Sequence, residues 1–203
     1  MPYFAQASLA DRYITRFDTE PEPLPGLVRM KRAGVRFPGS EDVEVPLDAF
    51  PRAAREQRRV KDMPDILNLG SWYGVCGEFK AWVEELDPGV HQFSERIAVT
   101  YKDGRPAEKA YYAIKLRRYL SGTTITERST PRVSAGGNAL TRTDLMHWQD
   151  HLEFDEAAIG GRHLWVDTDF YRQTWFLSDE LGKRVIKAKL RKLDLTRHRL
   201  GRR

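Results

Sequence analysis

The chain has 203 residues, of which 40% are hydrophobic and 11% aromatic, so it can bury a core and wholesale disorder is excluded. Its formal net charge of +5 is unevenly spread. Residues 183–203 hold ten lysines and arginines but one acid, a local charge of +9 that leaves −4 for the rest. The single cysteine, Cys76, excludes an intrachain disulfide and is typical of a reducing compartment.

No segment of the sequence is typical of export or of membrane insertion. The N-terminus lacks the basic stretch followed by an apolar run that marks a signal peptide. No stretch approaches the roughly 18 apolar residues of a membrane helix. We therefore expect a cytoplasmic protein, and the length makes one domain the default.

The N-terminal quarter carries weak signals. Residues 1–8 are either a short edge strand or a loose end, and three prolines make residues 19–26 extended or looped. Weak alternation over residues 26–37 is consistent with one or two strands. Residues 43–46 are a short strand at most. The charged segment 50–60 has a thin apolar face, which favours a surface helix.

The stretch 72–101 gives the clearest prediction. A helix is indicated by an apolar stripe with 3.6-residue period, formed by Phe79, Trp82, Val83 and Leu86. The run 87–89, Asp-Pro-Gly, ends this helix, because proline disfavours the α conformation before it and glycine accepts a positive φ. Ile97, Val99 and Tyr101 then alternate with polar or small residues, which predicts a strand.

A hairpin follows this strand. Asp103-Gly104 is a strong hairpin turn signal, and residues 110–120 are its predicted second strand. One face of that strand carries Tyr112, Ile114 and Leu116, and the other carries Lys115 and Arg117.

In the C-terminal half, residues 123–129 resemble a strand, 130–137 a loop, and 143–152 fits a helix or a strand equally well. Short strands are predicted at 152–154 and 163–167. The last helix begins at Ser178, whose hydroxyl can cap the free amides. Its predicted buried stripe is Leu181, Val185, Ile186 and Leu190.

These elements together predict an α+β fold, with helices packed on an antiparallel or mixed sheet. The domain is expected to span residues 1–192. The basic segment 193–203 follows it as a tail, and a solvated helix end that frays is the favoured interpretation of its charge.

Two segments carry a family resemblance. ELDPGVHQF at residues 85–93, between a short helix and a strand, resembles a motif of bacterial immunity-like proteins of polymorphic toxin systems, a family long known only as a domain of unknown function. WFLSDELGKRVIKAKL at residues 175–190 is similar to the family's C-terminal strand and helix. The resemblance covers roughly residues 65–190. It implies a non-enzymatic protein that binds and neutralises a cognate toxin.

The residues predicted to bind the toxin lie around the first helix. They are Glu78, Glu84, Glu85, Asp87 and His91. An acidic helix face is either a solvated surface or a negative patch for a basic partner. His91 lies inside the family-like motif, where it is either functional or a turn-fixing histidine bonded to nearby backbone.

Other reactive residues do not form a recognisable site. Cys76 is a nucleophile or a small buried hydrophobe, and the second is favoured because nothing around it resembles a cysteine protease. His147 and His151 have the four-residue spacing of a zinc site on a helix, but the glutamate of an H-E-x-x-H motif and a third ligand are missing. No catalytic, cofactor or metal residue is predicted.

Two rival functions stay open. One is an enzyme of unrecognised type that uses His91 or the pair His147 and His151. The other is a nucleic-acid-binding protein, whose basic tail would neutralise phosphates although it lacks aromatic residues for base stacking.

Overall fold

A computed structural model describes residues 3–7, 17–20, 44–57, 60–70, 72–120, 153–167, 175–191, 193–197 and 199–201. They divide into two compact units. The terminal unit comprises Met1–Ala7, Arg118–Lys189 and Leu193–Arg203, and the central unit comprises Ser8–Arg117 and Leu190–Lys192. The domain boundaries given above remain a prediction. So do the elements predicted within 26–37 and 121–152, including His147 and His151, which lie outside the described residues.

The central unit is built on a mixed six-stranded sheet. Its strands are β2 (Phe17–Glu20), β3 (Ala53–Glu56), β4 (Ile66–Leu69), β5 (Trp72–Cys76), β6 (Gln92–Thr100) and β7 (Tyr111–Lys115). They lie in the order β2-β3-β6-β7-β5-β4, with β3 parallel to β6 and the other pairs antiparallel. The edge strands β2 and β4 also contact each other, so the sheet curls into nearly a barrel.

The helix predicted in the central unit is α1 (Gly77–Leu86), and it packs on β5 and β7. Phe79 and Val83 are buried, whereas Trp82 is half-buried. The predicted apolar stripe is therefore correct, but its most deeply buried residues are Phe79 and Val83, and Trp82 lies at its edge. Gly89 and Gly104 have φ values of 69° and 87°, which confirms the two turns predicted from glycine.

The orientation of α1 predicts which of two alanine substitutions destabilises the protein more. Phe79→Ala should lower the free energy of unfolding by about 3–5 kcal/mol, because it empties a fully buried site. Trp82→Ala should cost about half of that or less, because part of its ring already faces solvent. Urea denaturation of both variants tests this, and a larger loss for Trp82→Ala would contradict the observed face.

Three predictions in this unit are corrected. Segment 50–60 holds β3 and not a helix, because Ala54 and Glu56 alternate inward around exposed Arg55 and pair with neighbouring strands. Residues 44–46 form no strand and lead into a 3-10 helix at Leu47–Ala49. The predicted strand 110–120 is divided, because β7 ends at Lys115 and Tyr119–Leu120 form a separate two-residue strand.

The terminal unit holds a five-stranded sheet and a two-stranded ribbon. Its strands are β1 (Tyr3–Ala7), β8 (Tyr119–Leu120), β9 (Glu153–Asp155), β10 (Leu164–Asp167), β11 (Trp175–Leu177), β12 (Leu193–Arg197) and β13 (Arg199–Gly201). The sheet order is β12-β1-β11-β10-β8, and β13 pairs in parallel with β9. Its helices are α2 (Glu156–Ile159) and α3 (Asp179–Ala188).

The core of the terminal unit is aromatic. Phe154, Trp165 and Phe176 are fully buried. The Trp165 and Phe176 rings stack at 5.7 Å, and the Phe154 and Phe176 rings meet edge to face at 5.1 Å. Ile159 is buried in the same cluster, against which Leu120 and Leu200 pack. The strands predicted at 152–154 and 163–167 are thus confirmed within a residue or two.

Three further expectations concern this unit. The Ser178 hydroxyl accepts the Leu181 N–H at 3.2 Å, which confirms the predicted start of α3. Ile186 is 52% exposed, so its place in the buried stripe was wrong. The segment predicted as an edge strand or loose end holds an interior strand, because β1 lies between β11 and β12. The predicted frayed tail instead holds the strands β12 and β13.

The predicted fold class is therefore only partly found. The mixed sheet and the helix packed on it are present. Among the described residues, however, thirteen strands outweigh three helices, and the chain is mostly β. No helix in the described ranges is long and apolar enough to cross a membrane.

Candidate functional site: the acidic face of α1

The acidic face of α1 consists of Glu78, Glu84 and Glu85, and all three are exposed. It is displayed by a firmly held helix. The Gly77 N–H donates to the Ala110 carbonyl at 2.9 Å where β5 ends, and the Asp87 N–H donates to the Val83 carbonyl at 2.8 Å where α1 ends. The carboxylates therefore project from a rigid element, which favours specific recognition.

Lys80 partly neutralises this face and links it to aromatic rings. Its ammonium lies 2.5 Å from the Glu84 carboxylate. It also lies 5.1 Å from the centre of the Tyr112 ring and 5.2 Å from that of Phe93, within cation–π range. Both rings are half-buried. The surface thus combines carboxylates with apolar rings, as protein-binding sites often do.

Asp87 and His91, the other two predicted site residues, are buried. His91 Nδ1 accepts the Arg117 N–H at 3.3 Å, and Nε2 lies 3.9 Å from an Asp87 carboxylate oxygen. Because Nδ1 accepts this hydrogen bond, it carries no proton in neutral His91. The ring proton therefore lies on Nε2, which faces Asp87. This pair fixes the turn after α1, which is the structural alternative for His91, and it offers a partner little surface.

Cys76 closes β5 and precedes α1, and it is buried. Burial raises the pKa of its thiol, and the Phe79 N–H only partly offsets that effect. A nucleophilic cysteine needs the opposite shift. The structure therefore favours the small buried hydrophobe.

A hydrogen-bonded hub lies beside Cys76. The buried Asp65 carboxylate accepts the Lys109 ammonium at 2.5 Å and the Arg191 N–H at 2.6 Å. The Asp65 backbone adds two bonds, since its N–H donates to the Arg191 carbonyl at 3.3 Å and its carbonyl accepts the Cys76 N–H at 2.9 Å. The sequence gives no sign of this hub, because Lys109 and Arg191 lie far from Asp65 along the chain.

Burial also predicts how stability depends on pH. It raises the pKa of Cys76, Tyr101 and Tyr111 above their ordinary values, so the unfolded chain loses these protons at lower pH than the folded chain. Their contribution to stability is complete below the unfolded pKa values and falls as pH rises beyond them. The loss per group is at most about 1.4 kcal/mol per pH unit, which corresponds to a difference of one bound proton.

We expect the free energy of unfolding to decline above about pH 9. Cys76→Ala should remove the part that begins near the ordinary thiol pKa of 9.0. Urea denaturation of both proteins from neutral to alkaline pH measures this. An unchanged slope in Cys76→Ala would show that the thiol does not contribute.

A serine–histidine contact was also missed from the sequence. His163 Nδ1 lies 2.9 Å from Ser178 Oγ. The two residues come close because they are the next opposing positions after the pair Leu164 and Leu177 of β10 and β11. The same oxygen caps α3 by accepting the Leu181 N–H. The contact is explained by strand pairing and capping. Among the described residues, no group of three or more His, Cys, Asp or Glu could hold a metal ion.

Comparison with known proteins supports the resemblance noted in the sequence. No curated protein matches the chain. A family model described as "Immunity protein family (Imm11)" matches residues 10–198, which covers nearly all of both units. The chain therefore belongs to the Imm11 immunity protein family.

Proposed function

We propose that this protein is a non-enzymatic immunity protein of a bacterial polymorphic toxin system, which binds its cognate toxin in the cytoplasm and neutralises it by occlusion. The observation that carries the proposal is membership of the Imm11 family over residues 10–198. Occlusion requires a complementary surface and no chemistry. A complex of this kind would bury about 1,200–2,000 Å² in total.

The structure supports binding over turnover at the reactive side chains that it describes. Cys76 is buried with a raised pKa, His91 fixes a turn, and Ser178 caps α3. Each therefore has a structural role. The acidic face of α1 differs from these groups because Glu78, Glu84 and Glu85 are exposed, so a partner can reach their carboxylates.

We propose this face as the edge of the toxin-binding surface. Its carboxylates would attract a basic toxin surface, and the half-buried rings of Phe93 and Tyr112 would contribute contact area. Asp87 and His91, being buried, would act by holding the end of α1 in place.

Charge reversal tests the face. Glu84→Lys with Glu85→Lys should slow association with the toxin more than it speeds dissociation, because rim charges act mainly on the encounter. Rapid-mixing kinetics at low and high salt separate the two rates. Glu20→Lys with Asp48→Lys is a matched control that changes the same charge at exposed positions elsewhere in the central unit. An equal effect in both pairs would contradict a role for the α1 face.

Co-expression tests the function as a whole. The product of the adjacent gene should be toxic alone, harmless beside this protein, and should co-purify with it. His91→Ala should still protect if the variant folds, whereas an enzyme that depends on His91 would lose protection. Steeply salt-dependent binding of DNA or RNA without protection would favour the nucleic-acid rival.

A further inference from the structure

The C-terminal half of α3 presents an apolar side chain to solvent. Ile186 is 52% exposed, and among the described residues Leu47 is the other large apolar side chain with comparable exposure. A single exposed isoleucine is ordinary on a protein surface. The residues around Ile186 distinguish it.

Close to Ile186 in the sequence are two lysines that have no carboxylate partner among the described residues. In the N-terminal half of α3, Lys183 pairs with Asp179 at 2.5 Å and Arg184 pairs with Glu180 at 2.9 Å. The helix has no further acids. Lys187 and Lys189 are exposed, and no carboxylate in the described ranges pairs with either of them.

Lys189 also has an unfavourable backbone conformation. Its φ and ψ are 54° and 46°, and it is the one non-glycine residue with positive φ in the part of the chain that the structure describes. Its N–H closes the helix by donating to the carbonyls of Val185 and Ile186. Glycine satisfies this geometry without steric cost. A lysine at this position keeps a positive charge three residues after Ile186 at the expense of stability, which is typical of functional positions.

We propose that Ile186, Lys187 and Lys189 form a contact surface, here named the α3 patch, for an acidic protein partner. The partner's carboxylates would pair with the two lysines, and one of its apolar side chains would cover Ile186. This inference goes beyond the proposed function, because it assigns a second surface with charge opposite to that of the acidic face of α1.

A protein partner fits the patch better than a nucleic acid does. Covering Ile186 requires an apolar group, which a phosphate backbone does not supply. Segment 179–190 contains no aromatic residue on which a base would stack, and Asp179 and Glu180 in its first turn would repel phosphates.

The test uses the full chain and a synthetic helical peptide rich in glutamate, with leucine at every fourth position. A second peptide with glutamine in place of glutamate measures how much of the binding affinity depends on charge. Binding is followed by calorimetry and by amide chemical shifts at physiological ionic strength. Two variants probe the patch: Ile186→Ser with Lys187→Glu, and Lys189→Gly. Lys61→Glu, an exposed lysine in the central unit, is the control for charge.

The acidic peptide should bind saturably, with shifts concentrated at residues 183–189, and the glutamine peptide should bind more weakly. Ile186→Ser with Lys187→Glu should weaken binding about tenfold or more, while Lys61→Glu leaves it within about twofold. Lys189→Gly should weaken binding yet raise the melting temperature by about 2 °C. No saturable binding, an equal loss in Lys61→Glu, or displacement of the peptide by duplex DNA would overturn the proposal.

Discussion

Deleting residues 195–203 should destabilise the terminal unit by about 4 kcal/mol or more. The deletion removes most of β12, which pairs with β1 from Tyr3↔Arg197 to Ala7↔Leu193, and all of β13. Each lost backbone hydrogen bond costs about 1 kcal/mol. Leu200 also leaves the aromatic core. β1 would then be an edge strand.

Thermal unfolding followed by tryptophan fluorescence measures this effect, because Trp165 and Trp175 are buried in the terminal unit. A control deletion of Arg202 and Arg203 removes charge but leaves both strands, and it should change stability by less than about 0.5 kcal/mol. An unchanged melting transition after the longer deletion would show that β12 and β13 do not support the fold.

Replacing Asp65 with alanine should lower the free energy of unfolding by about 2–4 kcal/mol. The change removes a buried acceptor and leaves the Arg191 N–H without its carboxylate partner. The two backbone bonds of Asp65 remain, so the loss reports the side chain alone.

Two further variants separate the contribution of the ion pair with Lys109 from that of the hydrogen bond with the Arg191 N–H. Lys109→Met should cost less than Asp65→Ala, because the Lys109 side chain is 49% exposed, water screens its ion pair, and the Arg191 N–H still donates to the Asp65 carboxylate. Asp65→Asn should fall between, since its amide oxygen can still accept one of the two bonds. Urea denaturation of the three variants gives the order. A loss for Lys109→Met as large as for Asp65→Ala would assign the stability to the ion pair.

The sequence predicted best those elements that are determined locally. The stripe of α1, the cap at Ser178 and the Asp103-Gly104 turn depend on neighbours only a few residues away. The alternation of Ile97 and Val99 likewise identified β6, because one face of that strand is buried and the other is exposed.

Elements that depend on distant partners were missed. β3 has the composition of a helix and becomes a strand because β2 and β6 lie on either side of it. β12 pairs with β1, which lies at the opposite end of the sequence. The alternation of Leu193 and Leu195 with Asp194 and Thr196 was a short strand signal, but the surrounding positive charge favoured a solvated tail.

The candidate site follows the same pattern. Helix periodicity placed Glu78, Glu84 and Glu85 on the surface of α1 correctly. It could not show that Asp87 and His91 turn inward, because the partner of His91 is the backbone of Arg117, 26 residues further along the chain. The contacts of Lys80 with Phe93 and Tyr112 likewise require the pairing of β6 with β7.

Stoichiometric binding is the mode of action that we propose. It is tested most directly by titration, in which this protein is added to a fixed amount of the toxin that the co-expression experiment identifies, at concentrations well above a nanomolar Kd. Occlusion predicts that activity falls linearly and is lost near one equivalent, with no further change over time. Complete inactivation by a small fraction of an equivalent, progressing with time, would contradict this account and identify the protein as an enzyme.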